Sequence, residues 1–418
     1  MKPKIKTLKN GLRIVTLVMP ENPTVTVLAM VEAGTRFETR DTNGLSHFLE
    51  HMCFKGTQKR GNREIAYELE AMGAETNAFT WYDYTGYYAK ARAKLFPKLL
   101  DVVSDVYLNS TFPEAEIEKE RGVVMGEIDM QQDMPIRNVG NVFNESLYGD
   151  QSLGYTVLGP KENIKKFTQA DFKKYRDAHY IAEKTVIVVV GNINEAEVVK
   201  QVSEAFKSIP TGKIISKKKV TNASGAQIIV KEKKTDQSHI VVGLRTVPMS
   251  HPDSDAISVM TGILGSGMSS RLFLKLREEM GAGYYVRAGQ FSSDDIGDFS
   301  IATGTEPKRT TEIISAIMGE IKRIKTERVG DAELAKVKEY VTGGIYMGNE
   351  STDAIAYHLG SEAILHQPLK MPRDIERDIR AVTADDVLRV AKKYLKPEKF
   401  HLAIIGPHTG QDFSDVLK

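Results

Sequence analysis

Apolar positions along the chain recur with two different periods, and together they predict strands packed beside helices. Val186 to Val190 is an unbroken apolar run ending at Gly191, the pattern of a buried strand. Asp331 to Tyr340 carries its apolar residues at helical spacing. Glu64 to Met72 reads as a helix capped by Gly73, and Pro113 to Glu127 as a helix opened by proline and acidic residues. Ser269 to Met280 reads as an amphipathic helix ended by glycines and followed by a strand. This mixture predicts an α+β fold.

The pattern repeats. Shifting the chain on itself by 215 residues lays Thr168, Asp171, Glu183, Lys184 and Gly191 on Thr383, Asp386, Glu398, Lys399 and Gly406. The same shift sets Val25 and Val27 on Ile240 and Val242, and Val186 to Val190 on His401 to Ile405. Each half therefore begins with two strands and ends with helix, strand and glycine. The expected division is an N-terminal domain over 1–210, a linker over 211–225 and a homologous C-terminal domain over 226–418. Pro210 to Lys213 and the lysines at 217–219 mark the linker, and the lysine run reads as solvated chain.

Within the first half, His47, Glu50 and His51 stand at i, i+3 and i+4 of an expected short helix. That spacing puts two imidazoles and a carboxylate on one face, with Phe48 and Leu49 turned inward. Asn43-Gly44 supplies a turn and an expected N-cap. Two neutral imidazoles suit zinc, and a catalytic zinc takes a third protein ligand and keeps a position for water. The third ligand has to come from elsewhere in the chain. Glu120 and Glu127 lie seven apart on the helix that begins at Pro113, two turns along one face. The 215-residue shift sends His47, Glu50 and His51 to Gly262, Gly265 and Ser266, so the second half cannot bind a metal in this way. Gly262, Gly265 and Gly267 are not followed by Gly-Lys-Ser or Gly-Lys-Thr, which argues against a phosphate loop.

Composition narrows the reading. The 418 residues are too many for one ordinary core and fit two domains. With 41% hydrophobic and 27% charged residues the chain has the make-up of a globular protein, and a net charge of +2 gives no case for nucleic acid or an anionic membrane as partner. No stretch approaches the length of a membrane span. The N-terminus is basic but runs into strand-like alternation, so export is not indicated and a cytoplasmic location is expected. The single cysteine, Cys53, rules out an intrachain disulfide. At i+2 from His51 it points away from the pair and is expected to be a buried small hydrophobe.

These residues resemble the inverzincins of the pitrilysin and mitochondrial processing peptidase type, which invert the usual H-E-x-x-H order. The family's third ligand, a Glu, follows the second His by about 76 positions, the separation of His51 and Glu127. Asn43 to Ser46 before the motif and Met52 to Thr57 after it also match. The resemblance implies one zinc ion per chain on His47, His51 and Glu127, with Glu50 as the base and Glu120 orienting an imidazole. It implies that Asn77 and Ala78 lie on a sheet edge that pairs with an extended peptide, and that Arg277 and Tyr284 bind substrate backbone from a half without metal. It further implies two similar domains, each a mostly antiparallel sheet with helices, that make half of a clamshell chamber. Such chambers need four domains, so a homodimer is expected, or a heterodimer with a metal-free homologous chain. The expected function is zinc-dependent endopeptidase action on unfolded peptides. The alternative is a metal-retaining subunit or peptide-binding protein that needs a different partner chain.

Overall fold

The apolar run at 186–190 becomes a central strand of a six-stranded sheet. In the computed structural model, which describes residues 2–221 and 227–417, the strands of that sheet are β1 (Lys4–Thr7), β2 (Arg13–Val18), β3 (Thr24–Val31), β4 (Glu75–Thr80), β5 (Thr85–Arg92) and β6 (Thr185–Gly191). Their order is β1-β2-β6-β3-β5-β4. A second sheet holds β7 (Ile228–Glu232), β8 (Ser238–Thr246), β9 (Tyr285–Ser292), β10 (Gly297–Thr305) and β11 (His401–Gly406) in the order β7-β11-β8-β10-β9. Apart from one parallel pair in each, β2 with β6 and β7 with β11, both sheets are antiparallel. The α+β reading therefore holds, and the second sheet repeats the strand order of the first without a partner for β1.

Two compact units result, and a single cut does not separate them. One comprises Met1–Asp129, Tyr155–Lys218 and Gly348–Met371; the other comprises Met130–Gly154, Lys219–Met347 and Pro372–Lys418. Each unit borrows a helix from the opposite half of the chain. Thr352–Ile364 packs on β3 and β6, and Pro135–Tyr148 packs on β11 and β8. Glycines make these seats. A Cβ at Gly360 would lie 2.4 Å from Met30 Sδ, and one at Gly243 would lie 2.7 Å from Phe143 Cζ. The borrowed helix explains why β3 and β6 are apolar at nearly every position. Val25, Val27, Ala29 and Val31 face the main core, while Leu28, Met30, Val186 and Val188 are buried on the other face.

The linker is also only partly the solvated chain expected. Residues 211–218 belong to the first unit, where Lys184 Nζ donates to Ile215 O at 2.8 Å and Lys217 Nζ meets Asp83 Oδ1 at 2.6 Å. Asp83 is only 2% exposed in its side chain, so Lys217 is held by a buried carboxylate. Residues 222–225 of the expected linker lie outside the described residues. Among the described residues no helix is long and apolar enough to cross a membrane.

Candidate metal centre

The helix that carries the histidines spans Leu45–Cys53, with Phe48, Leu49 and Met52 buried against the core as the spacing requires. Of the expected Asn43-Gly44 turn, the glycine takes the cap position. Gly44, in a left-handed conformation, is the residue at the N-cap, and Asn43 does not cap the helix. Glu38 does so from outside: its carboxylate accepts from Ser46 N at 2.7 Å, Gly44 N at 3.0 Å and Asn43 Nδ2 at 3.0 Å. Burial raises the Glu38 pKa despite these bonds. Asn43 serves instead as a brace, also donating to Thr156 O at 2.9 Å.

A second helix, Glu114–Asp133, buries Ile117, Glu120, Val124 and Ile128, and the same side carries Glu127. It brings Glu127 to the histidine pair. His47 Nε2 and His51 Nε2 are 3.3 Å apart, and each lies 3.6 Å from Glu127 Oε2. Among the described residues this is the one group of three or more His, Cys, Asp or Glu whose ligand atoms converge closely enough to hold an ion. The three donors make a nearly equilateral triangle whose centre is about 2.0 Å from each corner, the length of zinc–nitrogen and zinc–oxygen bonds. The residues present therefore fit the ion that the sequence implies.

Charge and tautomer are arranged to match. Burial, then the neighbouring His51, lowers the His47 pKa to about 3, so this ring is neutral and free to coordinate. His51 Nδ1 is 2.9 Å from Glu120 Oε1, and Lys55 Nζ is 2.6 Å from Glu120 Oε2. Burial works to raise the Glu120 pKa, but the hydrogen bonds from Lys55 and His51 outweigh it and the carboxyl stays charged. A charged acceptor assigns the proton to His51 Nδ1 and turns the Nε2 lone pair toward Glu127. His47 has no such partner, since its buried Nδ1 meets no protein acceptor.

Glu50 accepts a 2.6 Å hydrogen bond from Thr80 Oγ1. Burial raises its pKa; Thr80 and His51 pull it down and Glu127 pushes it up. A carboxylate with a raised proton affinity close to an ion site has the properties of a general base.

The remaining expected residues fall on other elements. Asn77 and Ala78 are on β4, the edge strand of the first sheet, where Asn77 Oδ1 accepts from Ala78 N at 2.9 Å. Arg277 and Tyr284 belong to the second unit. The expected helix there is shorter, Arg271–Phe273 passing into a π-helical segment, Leu274–Glu279, in which Arg277 Nη1 donates to Gly283 O at 3.0 Å. Tyr284 is exposed just before β9. Cys53 is fully buried, away from the donors, with its thiol 3.4 Å from Tyr87 Oη. Lys55, Thr80 and Glu38 were not singled out by sequence. Lys55 lies within the Met52 to Thr57 stretch that matches the family, and Thr80 two residues beyond Ala78, but only their partners reveal them.

Comparison with known proteins supplies the family. Residues 13–161 match the insulinase family, peptidase family M16, and residues 166–341 match the peptidase M16 inactive domain. The chain belongs to peptidase family M16. Among its M16 relatives, an uncharacterised zinc protease of Bacillus subtilis is 34% identical over 96% of this chain and 97% of its own length. Another, from Rickettsia felis, is 31% identical over 98% of each chain. A Helicobacter pylori protease has the same fold at a TM-score of 0.91 and 23% identity, covering 97% of this chain and 99% of its own. A Pseudomonas fluorescens structure described as a peptidase M16 inactive domain matches at 0.91 and 19% identity, over 99% and 100%. In this M16 chain the converging donors all lie in the peptidase match, and the inactive-domain match covers the segment where the histidines are replaced by Gly262 and Ser266.

Proposed function

We propose that this M16 protein is a zinc-dependent endopeptidase that hydrolyses unfolded peptides enclosed by a dimer. The observation that carries the reading is the convergence of His47 Nε2, His51 Nε2 and Glu127 Oε2 with the Glu50 carboxylate beside them, in a chain whose relatives are named zinc proteases. His47, His51 and Glu127 would hold one ion per chain, and Glu120 would fix the His51 ring. Bound zinc supplies Lewis-acid polarisation of the scissile carbonyl and makes water acidic near neutral pH. Glu50 accepts the proton of the attacking water as its oxygen bonds to the carbonyl carbon. It then delivers that proton to the amine nitrogen as the C–N bond breaks.

Substrate would add as a strand beside β4. Trp81 N donates to Tyr84 O, and antiparallel bonding alternates, so the backbone groups of Thr76, Ala78 and Thr80 face the free edge. Asn77 occupies the Ala78 N–H with its own side chain, a bond that a peptide strand would replace. Recognition through main chain tolerates many sequences. Arg277 and Tyr284 would bind substrate backbone at the metal of the partner chain.

A second reading, a metal-retaining subunit that depends on a different, metal-free chain, is favoured by the inactive-domain match over the second half. The test is cleavage of an unstructured quenched-fluorescence peptide by the purified protein with chelator and with zinc restored. Chelator-sensitive cleavage supports the peptidase; a zinc-loaded protein that cleaves nothing until a homologous chain is added supports the second reading.

A further inference from the structure

Glu50 is held from the strand expected to receive substrate. Thr80 is the last residue of β4, and its hydroxyl donates to Glu50 Oε2 at 2.6 Å. We propose that Thr80 is a positioning residue that fixes the Glu50 carboxylate from the end of the β4 edge strand; this rests on the peptidase reading above.

The geometry supports it in three ways. First, the hydroxyl has a single proton, and Glu50 receives it. The neighbouring Thr85 hydroxyl does not compete, because it donates to Ala33 O at 2.8 Å and lies 3.5 Å from Thr80 Oγ1. Second, Thr80 is mounted on a rigid turn. Trp81 N donates to Tyr84 O at 2.9 Å, Thr35 N to Trp81 O at 3.3 Å and Arg36 N to Tyr82 O at 2.9 Å. Asp83 in the same turn is gripped by Arg36 at 2.9 Å and Lys217 at 2.6 Å, all three side chains at most 10% exposed. Gly34 lets the chains approach this closely, since a Cβ there would lie 2.3 Å from Trp81 O. A glutamate has three rotatable bonds, and one strong bond to a fixed hydroxyl removes most of that freedom. Third, the Thr80 backbone faces the free edge of β4. One residue therefore meets the incoming strand with its main chain and the base with its side chain.

The test compares Thr80→Val, which keeps the shape and loses the hydroxyl, with Thr80→Ser, which restores it. Crystal structures of both variants and kinetics on the quenched peptide are the readouts, with zinc content measured on each protein. The expected result is a displaced Glu50 carboxylate and a fall in kcat of about 30- to 100-fold in Thr80→Val, with KM changed less than about threefold. Thr80→Ser is expected to return both to the wild-type state at unchanged zinc content. A Glu50 carboxylate that stays in place in Thr80→Val overturns the proposal, as does a Thr80→Ser variant as impaired as Thr80→Val. If the zinc-loaded wild type cleaves no peptide, the peptidase reading fails, while the position of Glu50 in the two variants still decides the role of Thr80.

Discussion

His51 Nδ1 and Glu120 Oε1 are 2.9 Å apart, and this bond decides which nitrogen of the ring faces His47 and Glu127. Lys55, at 2.6 Å, keeps Glu120 charged and in place. The three residues act as a relay of orientation from a lysine just past the helix end to the donor atom at the centre.

Glu120→Ala is therefore expected to weaken zinc binding by about 10- to 100-fold, the usual cost of losing a partner behind a ligand. Competition against a chromophoric chelator measures it. Glu120→Gln, which retains an acceptor oxygen, is expected to fall between Ala and wild type, and equal affinities for all three proteins would contradict the relay.

Cys53 is expected to be inert. Burial pushes its thiol up to about 11, with the Tyr87 hydrogen bond opposing, and the sulfur is fully covered. At pH 8 a thiol reagent should modify no cysteine in the native protein and one after unfolding. Cys53→Ala should retain its zinc; loss of the metal in this variant would show that the thiol belongs to the site.

Asp298 gives the second unit an unusual pH dependence. It is buried on β10, accepts from Tyr148 Oη at 2.8 Å, and burial raises its carboxyl to about 7 in spite of Tyr148 and Arg245. The folded state therefore holds this proton between about pH 4 and 7, where the unfolded chain has released it. Its contribution to stability is full below about pH 4 and is lost as pH rises through 7. Asp298→Asn should remove that loss, making the variant more stable than wild type at pH 8 by about 1–3 kcal/mol in chemical denaturation. No difference in the pH slope between pH 5 and 8 would place the Asp298 proton elsewhere.

Complementation tests the proposed dimer. His47→Ala lacks a ligand, and Arg277→Ala lacks the residue proposed to serve the partner's metal, so each alone should be inactive. Random exchange should give mixed dimers with one intact site, recovering about a quarter of wild-type activity. Exchange without recovery would mean that Arg277 does not act across the dimer.

Much of this architecture was legible because helical and strand periods are local. The helix at Gln169–His179 and its copy at Ala384–Tyr394 stand 215 residues apart, the shift that the sequence repeats. His47, Glu50 and His51 were legible for the same reason, since i, i+3 and i+4 share a face on any helix. Partners distant in the chain are not legible from local pattern: Glu120 and Glu127 were reached only through the family resemblance, and others were not reached at all. The apolar residues of Thr352–Ile364 call for burial but do not say which sheet receives them, and Gly360 has meaning only beside Met30. Glu38 caps a helix that starts at Leu45, while Asn43, the nearer and more usual residue type, braces a loop. Lys217 belongs to a run that reads as solvated linker until Asp83 is seen beneath it.

The central claim is that His47, His51 and Glu127 hold an ion while Glu50 moves the proton. It is tested most directly by measuring zinc content and peptide cleavage together in wild type, Glu50→Gln and His51→Ala. The expected result is one zinc per chain in wild type and Glu50→Gln, none in His51→Ala, and cleavage reduced by at least about 100-fold in both variants. A Glu50→Gln protein that is empty of zinc, or that cleaves as fast as wild type, would contradict the assignment.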